Sequence, residues 1–150
     1  MKEKGGASCL RGIPFENDWL KLIFQGTAIA NIADNAAASP LTNLYVSLHT
    51  ADPGEAGSQT TNETSYTSYA RVSVARTAGG WTVTGNSVSP VATVSFPACT
   101  GGTATITHAA VGTAASGAGK LLYSGALSPT IAVSTGVTPQ IATTSTITED

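Results

Sequence analysis

Charged side chains are scarce in this sequence. They make up 11% of its 150 residues and give a formal net charge of −2. A chain of this charge lacks the basic surface with which proteins hold nucleic acids or anionic membranes. We therefore expect neither a nucleic acid nor a membrane as a partner.

The scarcity of charge is greatest in the second half of the chain. After Arg76 the only cation is Lys120, and the only anions are Glu149 and Asp150. Thr, Ser, Gly and Ala must therefore fill the solvent-facing positions there, which is typical of strand-rich proteins that pack into larger assemblies. Low charge also leaves less repulsion between neighbouring copies.

Cysteine and long apolar runs are nearly absent as well. Cys9 and Cys99 are far apart, and neither belongs to a CxxC or Cys/His motif at metal-ligand spacing. No stretch approaches the roughly 20 apolar residues of a membrane-spanning helix, and the N-terminus lacks an apolar segment of signal-peptide length. We expect two free thiols, no bound metal and a soluble protein made in a reducing cytoplasm.

The residue patterns of common active sites are also missing. His49 and His108 belong to separate predicted strands, with no carboxylates at a fixed metal-ligand spacing. Ser116 lies in a glycine-rich turn that lacks the GxSxG pattern, and no glycine-rich segment has the spacing of a phosphate-binding loop. We expect no catalytic residue and no cofactor; a hydrolase would have to depend on one of the two histidines.

The N-terminal part of the chain predicts an arm and one helix. Residues 1–13 are glycine-rich without periodicity and are predicted to form a flexible arm. Pro14 suits the first turn of an amphipathic helix, which we place at 14–33. Four apolar residues share one face of this helix and form a candidate docking surface: Phe15, Trp19, Leu22 and Ile23.

From residue 40 to residue 150 the chain predicts a single β-sandwich domain. Apolar residues alternate with polar ones from Leu44 to Thr50, which indicates a half-buried strand. Further strands are predicted at 70–76, 81–84, 92–96, 103–111, 121–127, 131–134 and 141–148, separated by Gly- and Ser-rich turns. The expected fold is all-β, an antiparallel, jelly-roll-like sandwich of about eight strands.

A polar segment from Ala51 to Ser65 is longer than most strand connections and is therefore a candidate contact loop. Its predicted exposed residues are Asp52, Pro53, Gly54, Glu55, Asn62 and Glu63. Arg71 and Arg76 fall on opposite faces of the following strand, so at most one of them can point toward this loop and form an ion pair with it.

Several motifs in this order resemble a family of small structural proteins of tailed phages. They are LYVSLHTADPG at 44–54, Asn62-Glu63, Tyr66, Tyr69-Ala70-Arg71, Ile106-Thr107-His108 and LLYSGAL at 121–127. The resemblance covers roughly residues 15–148. It implies a virion component, assembled in the host cytoplasm, of the kinds described as fibre-like, tail or head-decoration proteins.

Two functions are compatible with this resemblance. The first hypothesis is a capsid decoration or cement protein, dimeric or trimeric, that bridges and stabilises major capsid subunits or other neighbouring virion subunits. The alternative is an adaptor or receptor-binding module of a tail fibre or baseplate, which could contact host glycans through Tyr66, Tyr69, Trp81 or Tyr123. Both hypotheses describe a non-enzymatic protein.

Overall fold

The computed structural model describes residues 13–29 and 40–149, with side chains from Glu16 onward. Helix α1 spans Ile13–Leu20 and continues as one π-helical turn over Lys21–Gln25. The helix ends where Gly26 adopts a left-handed backbone conformation, with φ of 67°. The helix predicted at 14–33 therefore ends earlier, at Gln25, and residues 30–33 of that prediction lie outside the described residues. The predicted arm, except Ile13, lies outside the described residues, and so does the Phe15 side chain.

In the part of the chain that the structure describes, nine antiparallel strands follow the helix. They are β1 Asn43–His49, β2 Val72–Ala75, β3 Trp81–Thr84, β4 Ser87–Pro90, β5 Val94–Ser95, β6 Ala104–Gly112, β7 Leu121–Val133, β8 Gln140–Ile141 and β9 Ile147–Thr148. A four-stranded sheet has the order β2-β1-β6-β7, a three-stranded sheet the order β3-β4-β9, and β5 pairs with β8. The prediction of an all-β antiparallel sandwich with one helix is confirmed.

Three strand predictions need correction. Strand β4 was missed because Gly85, at φ of 60°, and Asn86 form the tight turn of a β3–β4 hairpin rather than a longer loop. The strands predicted at 121–127 and 131–134 are one strand, β7, whose pairing with β6 shifts register between Ile106 and His108. The strand predicted at 141–148 is divided between β8 and β9, which pair in different sheets.

One hydrophobic core joins the sheets. Leu44, Val46 and Leu48 point from β1 toward Trp81 and Val88 of the three-stranded sheet, and all five are buried. Neighbouring strands continue this inner face, because residues paired across antiparallel strands point to the same side of a sheet. Its other members are Val72 and Val74 on β2, Ala109 and Val111 on β6, and Tyr123 and Gly125 on β7.

The helix packs against this core through two side chains that the sequence analysis did not single out. Leu20 and Phe24 are both fully buried. The Phe24 ring lies 4.7 Å from that of Trp81 and 5.7 Å from that of Tyr123, so it contacts both main sheets. Arg76 donates hydrogen bonds to the Leu22 and Ile23 carbonyls near the helix end, where a cation also offsets the helix dipole.

Candidate functional site

The segment from Thr50 to Ser65 covers the outer face of β1. Ser47 and His49 on that face are fully buried, although strand alternation predicted that they would face solvent. The segment is attached at both ends of the covered stretch: Thr50 N–H donates to the Asn62 carbonyl, and Gln59 N–H donates to the Gly119 carbonyl. The strand is therefore buried on both faces, and a polar cluster lies under the segment.

An ion pair holds this covering segment to the sheet. Arg71 donates from Nε and Nη2 to the two carboxylate oxygens of Glu63, each at 2.7 Å. The Arg71 side chain is 2% exposed and that of Glu63 15%. Two-point contact of a guanidinium with a carboxylate is the strongest geometry for such a pair, and it raises the pKa of Arg71. The prediction that only one of the two arginines reaches this loop is confirmed.

Arg71 also reaches a second loop. Its Nη1 donates to the Ala114 carbonyl at 2.9 Å, and its Nη2 donates to the Gly117 carbonyl at 2.8 Å. Both carbonyls belong to the connection between β6 and β7. One guanidinium thus ties three parts of the chain together, namely the start of β2, the covering segment and this connection.

Tyr69 adds a bridge between the covering segment and β1. Its hydroxyl donates to the Glu63 carboxylate at 2.9 Å and accepts a hydrogen bond from the Leu48 backbone N–H at 3.0 Å. Burial is the main reason that the pKa of Tyr69 lies well above its usual range. The phenol is therefore a neutral hydrogen-bond donor to the carboxylate.

His49 is hydrogen-bonded on both ring nitrogens. Nδ1 lies 2.8 Å from the Thr61 carbonyl and Nε2 lies 2.9 Å from the Ser47 hydroxyl. A carbonyl can only accept, so Nδ1 carries the proton and Nε2 accepts from Ser47. Burial lowers the pKa of His49 more than its neighbours raise it. The Ser47–His49 contact resembles half of a hydrolytic triad, but both residues are completely buried.

Gln59 attaches the covering segment to the end of β6 and to the connection between β6 and β7. Its side chain is buried, accepts a hydrogen bond from the Ala114 N–H at 2.9 Å and lies between two glycines, Gly112 and Gly119. A Cβ atom at Gly112 would come within 2.1 Å of the Gln59 side chain, and one at Gly119 within 2.2 Å. The glycines are therefore needed for this close approach.

The predicted contact loop is only partly exposed. Asp52, Gly54, Glu55 and Asn62 are exposed, whereas Pro53 is buried. Asp52 accepts a hydrogen bond from the Gly54 N–H, and Asn62 donates to the Asp52 carbonyl, so these residues shape the turn that starts the segment. The predicted exposure is wrong for Pro53 and for Glu63, whose carboxylate is taken up by Arg71.

The predicted docking surface on the helix is directed largely toward the protein itself. Trp19 is partly buried and donates from Nε1 to the Tyr123 hydroxyl at 3.1 Å. Ile23 packs against the core, and Leu22 is also partly buried. Apolar periodicity located this helix but did not identify its most buried residues. The two found by the structure, Leu20 and Phe24, are four residues apart, and that spacing was the available signal.

The described part of the chain indicates neither a metal site nor a membrane-spanning helix. In residues 13–29 and 40–149, no three His, Cys, Asp or Glu side chains are grouped so that they could hold a metal ion. Within the same ranges, no helix is long and apolar enough to cross a membrane. Cys99 is a buried free thiol. Cys9 lies outside the described residues.

The fold is a small β-sandwich. Its buried polar motif residues, from His49 to Arg71, hold loops in place. The family model described as "Podophage GP4 fiber I protein gp80" matches residues 15–149. The chain belongs to this family of phage fibre proteins and is a virion structural protein. No curated protein matches the chain. The family description agrees with the fibre alternative rather than with the capsid decoration hypothesis.

Proposed function

We propose that this chain is a non-enzymatic, globular subunit of a podophage tail-fibre assembly, acting as an adaptor between neighbouring virion subunits. The observation that supports this proposal most directly is the family match over residues 15–149. A fibre shaft would require repeated segments, whereas the described strands range from two to 13 residues and form a two-sheet sandwich with no repeated unit among them. The proposed position is therefore a compact module within or beside the fibre.

The buried polar cluster supports a structural role for the motif residues. Glu63, Tyr69 and Arg71 satisfy one another and fix two loops, which leaves none of them available to an external substrate. The Ser47–His49 pair lies beneath the covering segment, and no substrate carbonyl could approach the serine without displacing that segment. These contacts suit a protein that must keep its shape outside the cell.

Adaptor function is favoured over direct recognition of host glycans by the positions of the aromatic residues. Sugar-binding aromatics present a ring face to solvent. Here Tyr66 and Trp81 are buried at 5% and 2% exposure, and Tyr69 is held inside the cluster. The exposed loop residues Asp52, Glu55 and Asn62 offer polar contacts of the kind found at the rim of a protein interface.

The direct test is the number and position of copies in the virion. Particles of the encoding phage would be purified, the copy number measured by mass spectrometry against the major capsid protein, and the density of the sandwich located by cryo-electron microscopy. We expect a small copy number confined to the tail. Density distributed over the head, at a copy number comparable to that of the capsid protein, would overturn the fibre proposal and restore capsid decoration.

A binding assay separates the adaptor from a receptor-binding module. The purified chain would be mixed with host surface polysaccharide and, separately, with the other tail proteins of the same phage. We expect complex formation with a tail protein and none with polysaccharide. Polysaccharide binding that survives Tyr69→Phe but is lost on Asp52→Ala or Asn62→Ala would contradict the adaptor role and assign recognition to the loop.

A further inference from the structure

A large apolar groove lies between the two main sheets. Its volume is about 640 Å³, and its walls include residues of β7 and of the segment that leads into β9. Its lining includes Val88, Val94, Ala109, Leu127 and Ile147. Protein interiors are close-packed, and a space of this size is much larger than the small voids that single domains normally contain.

The space exists because small residues replace large ones on the inner face of the four-stranded sheet. Ala109 pairs with Leu48 and with Gly125, so all three face the second sheet. A Cβ atom built at Gly125 meets no other atom within 4 Å. Among the described residues, the space between the sheets is therefore left unfilled on the β7 side, where side chains of two sheets would ordinarily interdigitate.

A buried hydrogen-bond donor also lines the groove. Trp81 is 2% exposed, and its indole Nε1 has no hydrogen-bond partner among the described residues. A buried donor without an acceptor is costly, and native proteins usually satisfy such groups. An occupant of the groove should therefore supply an acceptor as well as apolar surface.

Among the described residues, the strand beside the groove forms an edge of its sheet that carries no charge. β7 is 13 residues long and forms the end of the four-stranded sheet. No charged residue occurs from Leu121 to Thr148. Soluble proteins usually protect a long edge with charges, bulges or a covering element, because its free backbone groups pair readily with another strand. The opposite edge, β2, has four residues and lies between Arg71 and Arg76.

We propose that a second copy of this chain occupies this side of the sandwich, with its β7 paired to β7 of the first copy and apolar side chains entering the groove. A polypeptide strand supplies backbone carbonyls and apolar side chains together, as the groove and Trp81 require. Pairing of one edge with itself is closed by a two-fold axis, and an uncharged edge brings no repulsion between copies. This inference does not depend on the fibre assignment.

The test measures self-association of the full chain by analytical ultracentrifugation over a range of concentrations. Gly125→Val fills the groove from β7, and Ala126→Lys places a charge on the edge. Ser73→Val, at an exposed position on the opposite edge strand β2, is the matched control. We expect the wild-type chain and Ser73→Val to associate. The dissociation constant should rise by about tenfold or more in both variants. Gly125→Val takes up the space that the second copy would enter, and Ala126→Lys places like charges on the two paired edges.

Each variant would also be checked for folding by circular dichroism and thermal unfolding, and exchange of the β7 amides would be compared at low and high concentration. Ala126→Lys changes an exposed residue, so it still tests the proposal if Gly125→Val does not fold. A wild-type chain that stays monomeric would overturn the proposal. So would association that neither variant weakens. Protection of the β7 amides only on addition of a different tail protein would assign the groove to that protein instead.

Discussion

Two glycines on adjacent strands show how differently the two faces of the four-stranded sheet are packed. A Cβ atom at Gly112 would collide with the Gln59 side chain at 2.1 Å, whereas one at Gly125 would meet nothing within 4 Å. Gly112 lies under the covering segment on the outer face, and Gly125 faces the second sheet. The face that a sandwich normally fills is partly open, and the face normally left to solvent is closely covered.

The difference follows from where the sequence places its polar groups. Glu63 and Arg71, together with Tyr69, satisfy one another under the covering segment, so that face can exclude water at little cost. From Leu121 to Thr148 the chain has no charge with which to cover or protect the other side. The covered face therefore stabilises the single chain, and the open side is suited to association.

The largest expected effect comes from removing the cation that holds the covered face together. Arg71→Leu leaves the Glu63 carboxylate with a reduced set of partners and frees the Ala114 and Gly117 carbonyls. Breaking a buried ion pair at one partner costs about 3–5 kcal/mol of folding free energy. Urea denaturation measures this loss, and Lys120→Leu, at an exposed position, serves as the control. Equal stability of the two variants would show that the cluster contributes little.

The next largest loss of folding stability is expected from the helix, because it adds side chains to the core between the sheets. Leu20→Ala removes a completely buried side chain, and such changes cost about 2–5 kcal/mol. Leu22→Ala is the matched control, since Leu22 is only partly buried. Thermal unfolding of both variants would decide whether the helix belongs to the cooperative unit. Indistinguishable melting curves would indicate that it is attached to the domain only loosely.

Replacing Gly112 or Gly125 by alanine should change the folding stability by a smaller amount. The change should have opposite signs on the two faces of the sheet. Gly112→Ala forces the Gln59 side chain to move, at a cost of about 1–3 kcal/mol. Gly125→Ala enters open space and lowers the entropy of the unfolded chain, for a gain of about 0.4–1 kcal/mol. Chemical denaturation at a concentration where the chain is monomeric would measure both. A loss of stability in Gly125→Ala would show that the groove is filled within one chain.

Much of the architecture could be predicted from the sequence because local patterns determine it. Alternation in β1 and glycine-rich turns identified most strands, and the spacing of Arg71 from Arg76 correctly predicted that only one could reach the loop. Local patterns did not reveal that loop 50–65 folds back over β1. Burial of Ser47 and His49 on the second face of that strand depends on contacts between residues distant in sequence.

The groove could also not be predicted from the sequence. Neither Ala109 nor Gly125 is unusual by itself in a strand, and only their pairing across β6 and β7 places both against one empty space. The docking residues predicted on the helix share this limitation, since periodicity identifies an apolar face but not the surface that it contacts. The structure directs Leu20 and Phe24 into the chain's own core.

The smallest effect is a pH dependence specific to the covered face. Burial lowers the pKa of His49 in the folded protein below its ordinary value of 6.5, so below that pH the unfolded chain binds more protons at this residue. His49 therefore costs no stability well above pH 6.5, and stability falls as the pH drops from 6.5 through the folded pKa. His49→Asn keeps a donor for the Thr61 carbonyl without titrating. Unfolding free energies at about pH 8 and about pH 5 should thus differ less in this variant than in the wild-type chain. An equal difference in both proteins would show that the carboxylates alone set the acid sensitivity.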